Sequence, residues 1–297
     1  MTEKIMTRKP RRIKKKFSLE GQHSFVSGCL SEYALNTVCR SARCPNRFEC
    51  FAEGTATFMI LGDICTRACR FCAVKSGAPG KPDSSEPGRI ASAVRKLGLS
   101  YCVVTSVTRD DLPDKGVDHF INTVRAVRKE CPGVPVEVLV PDFSGDLSLA
   151  SAVAKSGIKV FNHNIETVPS KYAGVRPGAS YQRSLSVLKA ASVAVPGLIV
   201  KSGMMLGLGE NEEEVFDVMD DLLDSGCSAL TIGQYLSPER SSVPVERYLE
   251  DGEFEYFRSA ALEKGFAEVF SGTFIRSSYM AEKMAYTAEN FQSAEKE

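Results

Sequence analysis

The stretch "TFMILGDICTRACRFCAV", residues 57–74, decides how the chain is read. Its first half is a short apolar run of the kind that forms a buried strand. Its second half sets Cys65, Cys69 and Cys72 in a C-x3-C-x2-C array with Phe71 just before the last cysteine. A tetrahedral zinc site wants a fourth ligand, and no cysteine or histidine follows before Cys102 and His119. A cubane iron–sulfur cluster has four irons that each take one outside ligand. Three cysteines therefore leave one iron open, and an open iron can bind substrate.

The strand that begins this stretch is the first of a series. Further apolar segments are "YCVVTSV" (101–107), "VPVEVLVP" (134–141), "IKVFNHN" (158–164), "LIVKSGMML" (198–206) and "ALTIGQY" (229–235). They are rich in valine and isoleucine, as buried strands are. Between them lie "RIASAVRKLG", "VDHFINTVRAVRKE", "DLSLASAVAKSG" and "EEEVFDVMDDLLDSG", whose apolar residues recur at three and four and which often end in glycine. Strand and helix in alternation predict an α/β fold with a parallel sheet, either an open doubly wound sheet or a full or partial barrel. Polar residues gather at the carboxyl ends of the strands: Thr105 and Ser106, then Asn162, His163, Asn164 and Glu166, then Lys201 and Ser202. In both architectures that end carries the active site. About fifty residues before this region and sixty after it are too short for independent domains and read as extensions packed on one core.

Composition narrows the function. Lysine plus arginine equals aspartate plus glutamate at 37 each, so bulk charge gives no case for nucleic acid. No apolar run reaches the length of a membrane span, and the first residues lack the apolar stretch of a secretory signal. Ten cysteines without such a signal point to a reducing compartment, and the cytoplasm is the expected location. Cys102, Cys131 and Cys227 read as small core residues, and Cys29 has no partner at a regular spacing. Residues 4–16, "KIMTRKPRRIKKK", hold eight basic residues and no acidic one, and suit a solvated arm or a landing strip for an acidic partner.

The six remaining cysteines form two sets of three, because "CRSARCPNRFEC" adds Cys39, Cys44 and Cys50. The array at Cys65–Cys72, behind a first strand, resembles the opening of the radical S-adenosylmethionine (radical SAM) superfamily. The front triad with "ARCPN" resembles the lipoyl synthase family. So do "LNTVC", "TSVTRDDLPDKG" (105–116), "FNHNIETVP" (161–169), "VRPGASYQRSL" (175–185), "KSGMMLGLGE" (201–210), "TIGQYLSP" (231–238) and "RSSYMAEK" (276–283), all in the family's order. The chain departs from the family's pattern in having no tryptophan and in carrying Met280 where histidine is frequent.

That resemblance implies a partial (β/α)6 barrel of the radical SAM type over residues 56–235. It is flanked by an N-terminal extension, 1–55, holding the front triad, and a C-terminal extension, 236–297, holding a serine ligand. It implies two 4Fe-4S clusters. Cys65, Cys69 and Cys72 would hold the one that binds S-adenosylmethionine. Cys39, Cys44, Cys50 and Ser278, with Ser277 as the other serine, would hold an auxiliary one. Asn164 and Glu166 are expected near the ribose of S-adenosylmethionine and Lys201 near its carboxylate. His163 reads as a structural histidine or a participant, and Arg109 and Asp110 as substrate-orienting or loop-capping residues. The implied reaction is radical insertion of two sulfur atoms into a protein-bound octanoyl group, with the auxiliary cluster as sulfur donor. The implied partners are an octanoylated lipoyl carrier protein or domain, an electron donor such as a ferredoxin or flavodoxin, and cluster-repair proteins; no nucleic acid or membrane is implied. A biotin synthase-like enzyme lacks the front triad. A two-cluster electron-transfer protein would bring four cysteines per cluster and no large barrel.

Overall fold

Every apolar run singled out above is a strand in the structure, a computed structural model that describes residues 10–13 and 22–294. Ahead of the sheet come three helices, α1 (His23–Glu32), α2 (Val38–Ser41) and α3 (Arg47–Ala52). The six expected strands are β1 (Thr57–Ile60), β2 (Cys102–Ser106), β3 (Val136–Leu139), β4 (Val160–Asn162), β5 (Ile199–Leu206) and β6 (Ala229–Gln234). Each is parallel to the next in chain order. A seventh, β7 (Glu268–Gly272), continues the sheet beside β6. Its sequence, "EVFSG", is too short and polar to announce a strand. The segment after 235, read from sequence as an extension, is thus part of the wall. β1 and β7 are the two edges of the sheet, so the barrel is partial.

Crossover helices cover the outside: α4 (Glu86–Leu97), α5 (Val117–Glu130), α6 (Leu147–Ala154), α7 (Pro169–Val175), α8 (Tyr181–Ala194), α9 (Glu212–Asp224) and α10 (Asp251–Lys264). Local chemistry sets their ends. Gly98 stops α4 with φ of 63°, a left-handed conformation that costs glycine little. Asn211 and Glu214 exchange side-chain and main-chain hydrogen bonds of 2.9 Å at the start of α9, a capping box that satisfies two orphan amides. Outward-facing strand residues such as Phe58, Val104, Val138, Phe161 and Ile232 pack on these helices.

The inward face is different at its two ends. At the amino ends of the strands Val103, Val160, Ile199 and Ala229 pack against Ala281, Met284, Ala285 and Ala288 of α11 (Ala281–Ala294). The alanines let this helix close the narrow end of the barrel. Above it lies a polar floor in which Glu137 accepts from Lys201 Nζ (2.9 Å), Tyr101 OH (3.1 Å) and Asn162 Nδ2 (3.3 Å). The carboxyl ends remain open and carry the cavity described below.

Cys102 and Cys227 are buried as expected, and so is Cys29, whereas Cys131, read as a core residue, is only half-buried because it sits at the C-cap of α5. Of the basic arm at 4–16, only Pro10–Ile13 lies within the described residues. Ile13 is buried there and Arg12 pairs with Glu250 at 2.6 Å. Among the described residues, no helix is long and apolar enough to cross a membrane.

Candidate active site

A cavity of about 900 Å³ occupies the carboxyl-terminal mouth, and all six clustered cysteines line it. Cys65, Cys69 and Cys72 ride on the loop that leaves β1. The Sγ of Cys65 accepts main-chain N–H bonds from Arg67 (3.4 Å) and Thr108 (3.3 Å), and that of Cys72 from Val74 (3.4 Å). Amides aimed at sulfur stabilise thiolate charge and tune a bound cluster. Burial pushes the Cys72 thiol up to about 12, against the lowering effect of the Val74 amide. Burial also raises Cys69, with the Arg176 guanidinium opposing it. Such thiols stay protonated until a metal replaces the proton.

Arg67 fixes this loop, a role the sequence reading missed. Its guanidinium grips Asp110 through Nε (2.7 Å) and Nη2 (3.0 Å), and Nη2 also meets Asp142 Oδ1 at 2.6 Å. Burial alone would raise the Asp142 carboxyl, but the bonds and charge of Arg67 hold it down at about 2. Asp110 also accepts from Ser144 Oγ at 2.7 Å. Arg109 is occupied as well, donating to Asp111 at 2.9 and 2.8 Å and to the Gly80 carbonyl at 2.9 Å. Of the two roles considered for Arg109 and Asp110, holding the loop is the one these contacts serve.

The front triad comes from α2, the turn after it, and α3. Burial raises Cys39 to about 11 and Cys50 to about 12, with Cys44 adding to both and Cys39 adding to Cys50. Thr57, the first residue of β1, hydrogen-bonds to Cys39, and its Oγ1 donates to Ser278 Oγ at 2.9 Å. The neighbouring Ser277 turns the other way and donates to Asn164 Oδ1 at 2.8 Å. The extensions also meet where Asn46 Nδ2 donates to the Phe274 carbonyl at 2.6 Å. A single ion needs its thiolates within about 2.3 Å of one point. No three cysteine, histidine or acidic side chains among the described residues are so arranged. A cubane takes each thiolate at a separate iron, so a cluster does not require that convergence on one point.

Between the triads lie Asn164 and Glu166. Asn164 Nδ2 donates to Glu166 Oε1 at 3.0 Å. Glu166 adopts φ of 69°, a strained setting for a residue with a Cβ. It is held there because its N–H donates to the Gly203 carbonyl (2.9 Å) and its carbonyl accepts from Met205 (2.8 Å). Burial raises its pKa, against the charge of Arg176. Gly203 is required for this convergence: a Cβ there would stand 2.6 Å from Thr231 Oγ1 and 2.9 Å from Asn164 Oδ1.

Arg176, in the quoted "VRPGA" but given no role from sequence, lines the same cavity. Its Nη1 donates to Tyr172 OH (2.7 Å) and to the Asn164 carbonyl (3.0 Å), while its buried Nε has no partner. Tyr172 OH reaches Ser184 Oγ at 2.7 Å, and Ser184 reaches His163 Nε2 at 2.9 Å. The chain ends where His163 Nδ1 meets the Val140 carbonyl at 2.8 Å. With Arg176 donating first, each hydroxyl passes its hydrogen onward and His163 is the Nδ1–H tautomer. Burial lowers its pKa to about 4. Both ring nitrogens are engaged, so His163 is a structural histidine. Lys201, expected near the carboxylate of S-adenosylmethionine, is engaged elsewhere. It is 1% exposed, is not among the cavity's lining residues, and spends its charge on Glu137.

A partial parallel barrel with an open-cornered cysteine triad at its mouth defines a radical SAM enzyme, and the pattern of the Radical SAM superfamily matches residues 59–222. Solved structures of similar fold include methylornithine synthase (TM-score 0.53, 15% identity, 90% of this chain and 82% of that one). Another is Streptococcus suis SuiB bound to S-adenosylmethionine (TM-score 0.55, 12% identity, 76% of this chain and 54% of that one). The lipoyl synthase of Syntrophotalea carbinolica is 49% identical over 278 residues, 93% of this chain and 90% of the relative. That of Chlorobium phaeovibrioides is 50% identical over 275 residues, 92% and 96% of the two chains. The chain belongs to the lipoyl synthase family and is a radical SAM sulfurtransferase. Membership brings one 4Fe-4S cluster and S-adenosylmethionine with it.

Proposed function

We propose that this chain converts an octanoyl group, borne on a lysine of a lipoyl carrier protein, into a lipoyl group by inserting sulfur at carbons six and eight. The observation that carries this reading is the convergence of two incomplete triads on one cavity, with Thr57 joining Cys39 to Ser278. Cys65, Cys69 and Cys72 hold the cluster that binds S-adenosylmethionine. Cys39, Cys44, Cys50 and Ser278 hold a second cluster, which is the sulfur substrate and is consumed. A serine oxygen binds iron less firmly than thiolate, so that corner is the one given up. Bound S-adenosylmethionine and its cluster supply a 5′-deoxyadenosyl radical, which takes hydrogen from an unactivated carbon.

The remaining residues orient and exclude. Arg176, with its free Nε–H and buried charge, faces the carboxylate of S-adenosylmethionine in place of the Lys201 expected from sequence. Asn164 and Glu166 offer hydrogen bonds to its ribose. Met59, Leu139 and Met205 line the same cavity and suit an alkyl chain from which water is kept. A ferredoxin or flavodoxin supplies electrons, and cluster-repair proteins restore the donor.

Loading the second cluster with isotopically labelled sulfide tests the reading. The reconstituted chain holds about eight irons, and with an octanoyl-lysine carrier, dithionite and S-adenosylmethionine it forms one lipoyl group with the label in both sulfur positions. Unlabelled sulfur in the product would sink the donor assignment.

A further inference from the structure

Arg276 reaches the cavity from the segment between β7 and α11, two positions before Ser278. Its Nη1 donates to two main-chain carbonyls, Ile275 at 2.6 Å and Thr273 at 3.5 Å. Among the described residues it makes no ion pair. Arg67, on the same cavity, holds Asp110 and Asp142, whereas Arg176, like Arg276, has no carboxylate partner among the described residues. The Cys44 thiol and the Glu166 carboxyl, which line the same cavity, are the charged groups that act on Arg276. A guanidinium carries five N–H donors in a rigid fork, and those not spent on carbonyls open on the cavity. Such a charge, withdrawn from bulk water, is costly until an anion meets it.

The placement is built into the barrel. At Gly233 of β6 a Cβ would lie 2.3 Å from the Ile275 carbonyl oxygen and 3.1 Å from Arg276 Nη1. The strand must carry glycine there for the 275–276 segment to lie against it. Asn46, in the turn that carries Cys44, ties the same segment through the Phe274 carbonyl at 2.6 Å. Guanidinium and front triad are therefore held in one frame.

We propose that Arg276 is the counter-charge of the auxiliary cluster. Three thiolates and a serine oxygen bring more negative charge than a cubane core neutralises, and the guanidinium answers the excess from the wall beside Cys44. A fixed cation at that range raises the reduction potential of the cluster and favours its assembled state. The inference rests on the reading that Cys39, Cys44, Cys50 and Ser278 hold a cluster. It concerns the charge balance of that cluster and involves no bond change.

The test uses the full chain carrying Cys65→Ala, Cys69→Ala and Cys72→Ala, so that only the auxiliary cluster forms. Its reduction potential is titrated by electron paramagnetic resonance, alone and with Arg276→Met or Arg276→Lys. The expected result is a shift to more negative potential in Arg276→Met and return toward the parent value in Arg276→Lys. An unchanged potential in Arg276→Met with iron content intact overturns the proposal, as does a lysine variant as negative as the methionine one. Should Arg276→Met hold no cluster, retention by Arg276→Lys supports a counter-charge and loss by both refutes it. If the parent itself binds no iron, the two-cluster reading fails instead. A loss of S-adenosylmethionine affinity in Arg276→Met, with the potential unmoved, assigns the arginine to that ligand and also overturns the proposal.

Discussion

Replacing Lys201 with methionine separates its structural role from the ligand role expected from sequence. Glu137 and Lys201 are 0% and 1% exposed and meet at 2.9 Å, with Tyr101 and Asn162 as the neutral donors. Truncating one side of a buried ion pair costs about 3 to 5 kcal/mol. A stranded carboxyl can escape by binding a proton. For a glutamate of ordinary pKa about 4.3 this costs about 1.36 kcal/mol per pH unit, or about 3.7 kcal/mol at pH 7. The cheaper route sets the loss, so Lys201→Met is expected to unfold about 3 to 4 kcal/mol more easily. With an unfolding entropy of about 2.1 cal/mol/K per residue over 297 residues, Tm falls by about 6 °C. The folded variant holds a proton that the unfolded chain releases, so the penalty shrinks as pH falls and is about 1 kcal/mol at pH 5. Urea unfolding of the apo chain at the two pH values measures both figures, and adding Glu137→Gln recovers most of the loss. Calorimetry on the reconstituted protein should find S-adenosylmethionine affinity within about twofold of the parent. A tenfold weaker affinity with unchanged stability would refute this account and return Lys201 to the carboxylate of the cofactor.

The triads should separate in their effects. Cys65→Ala, Cys69→Ala or Cys72→Ala stops S-adenosylmethionine cleavage and all later chemistry, whereas Cys39→Ala, Cys44→Ala or Cys50→Ala still releases 5′-deoxyadenosine and makes no carbon–sulfur bond; chromatography of both products decides. Sustained lipoyl formation by a front-triad variant fed sulfide alone contradicts this. His163, neutral in the fold with a pKa near 4 against an ordinary 6.5, gives stability that is present above pH 6.5. That contribution is lost as pH falls toward 4, by about 3 kcal/mol. A His163→Gln variant should flatten that part of the urea-stability profile, and an equally steep profile would assign the pH dependence elsewhere. Arg67→Ala leaves Asp142 buried without that partner and frees the loop of the second triad. It is expected to cost about 3 to 5 kcal/mol and to lower iron content by one cluster while front-triad loading persists, as read by Mössbauer spectroscopy of single-triad backgrounds.

What the sequence determined by itself is what short-range physics controls. Cysteines within one loop must lie close whatever the fold, so Cys65, Cys69 and Cys72 were legible from spacing, as were Cys39, Cys44 and Cys50. The apolar runs became β1 to β6 because strand burial is written in local pattern. β7 escaped notice because "EVFSG" is held by its place beside β6 rather than by its own composition. Pairings across the barrel were decided only by tertiary structure. Lys201 reads from sequence as a mouth residue, yet it lies near the amino end of β5, where Glu137 of β3, one strand beyond β4, meets it on the inward face and consumes its charge. Ser277 and Ser278 are adjacent and chemically identical, and consecutive residues point to opposite sides. The turn before α11 therefore sends one to Asn164 and the other to Thr57. Arg176 and Arg276 stand in the quoted stretches "VRPGA" and "RSSY", but nothing local in either stretch says what the side chain meets. Their roles arise from being folded, without a carboxylate partner, into the wall between two sets of thiols: a charge is cheap in water and demands an anion once the barrel has removed it from water.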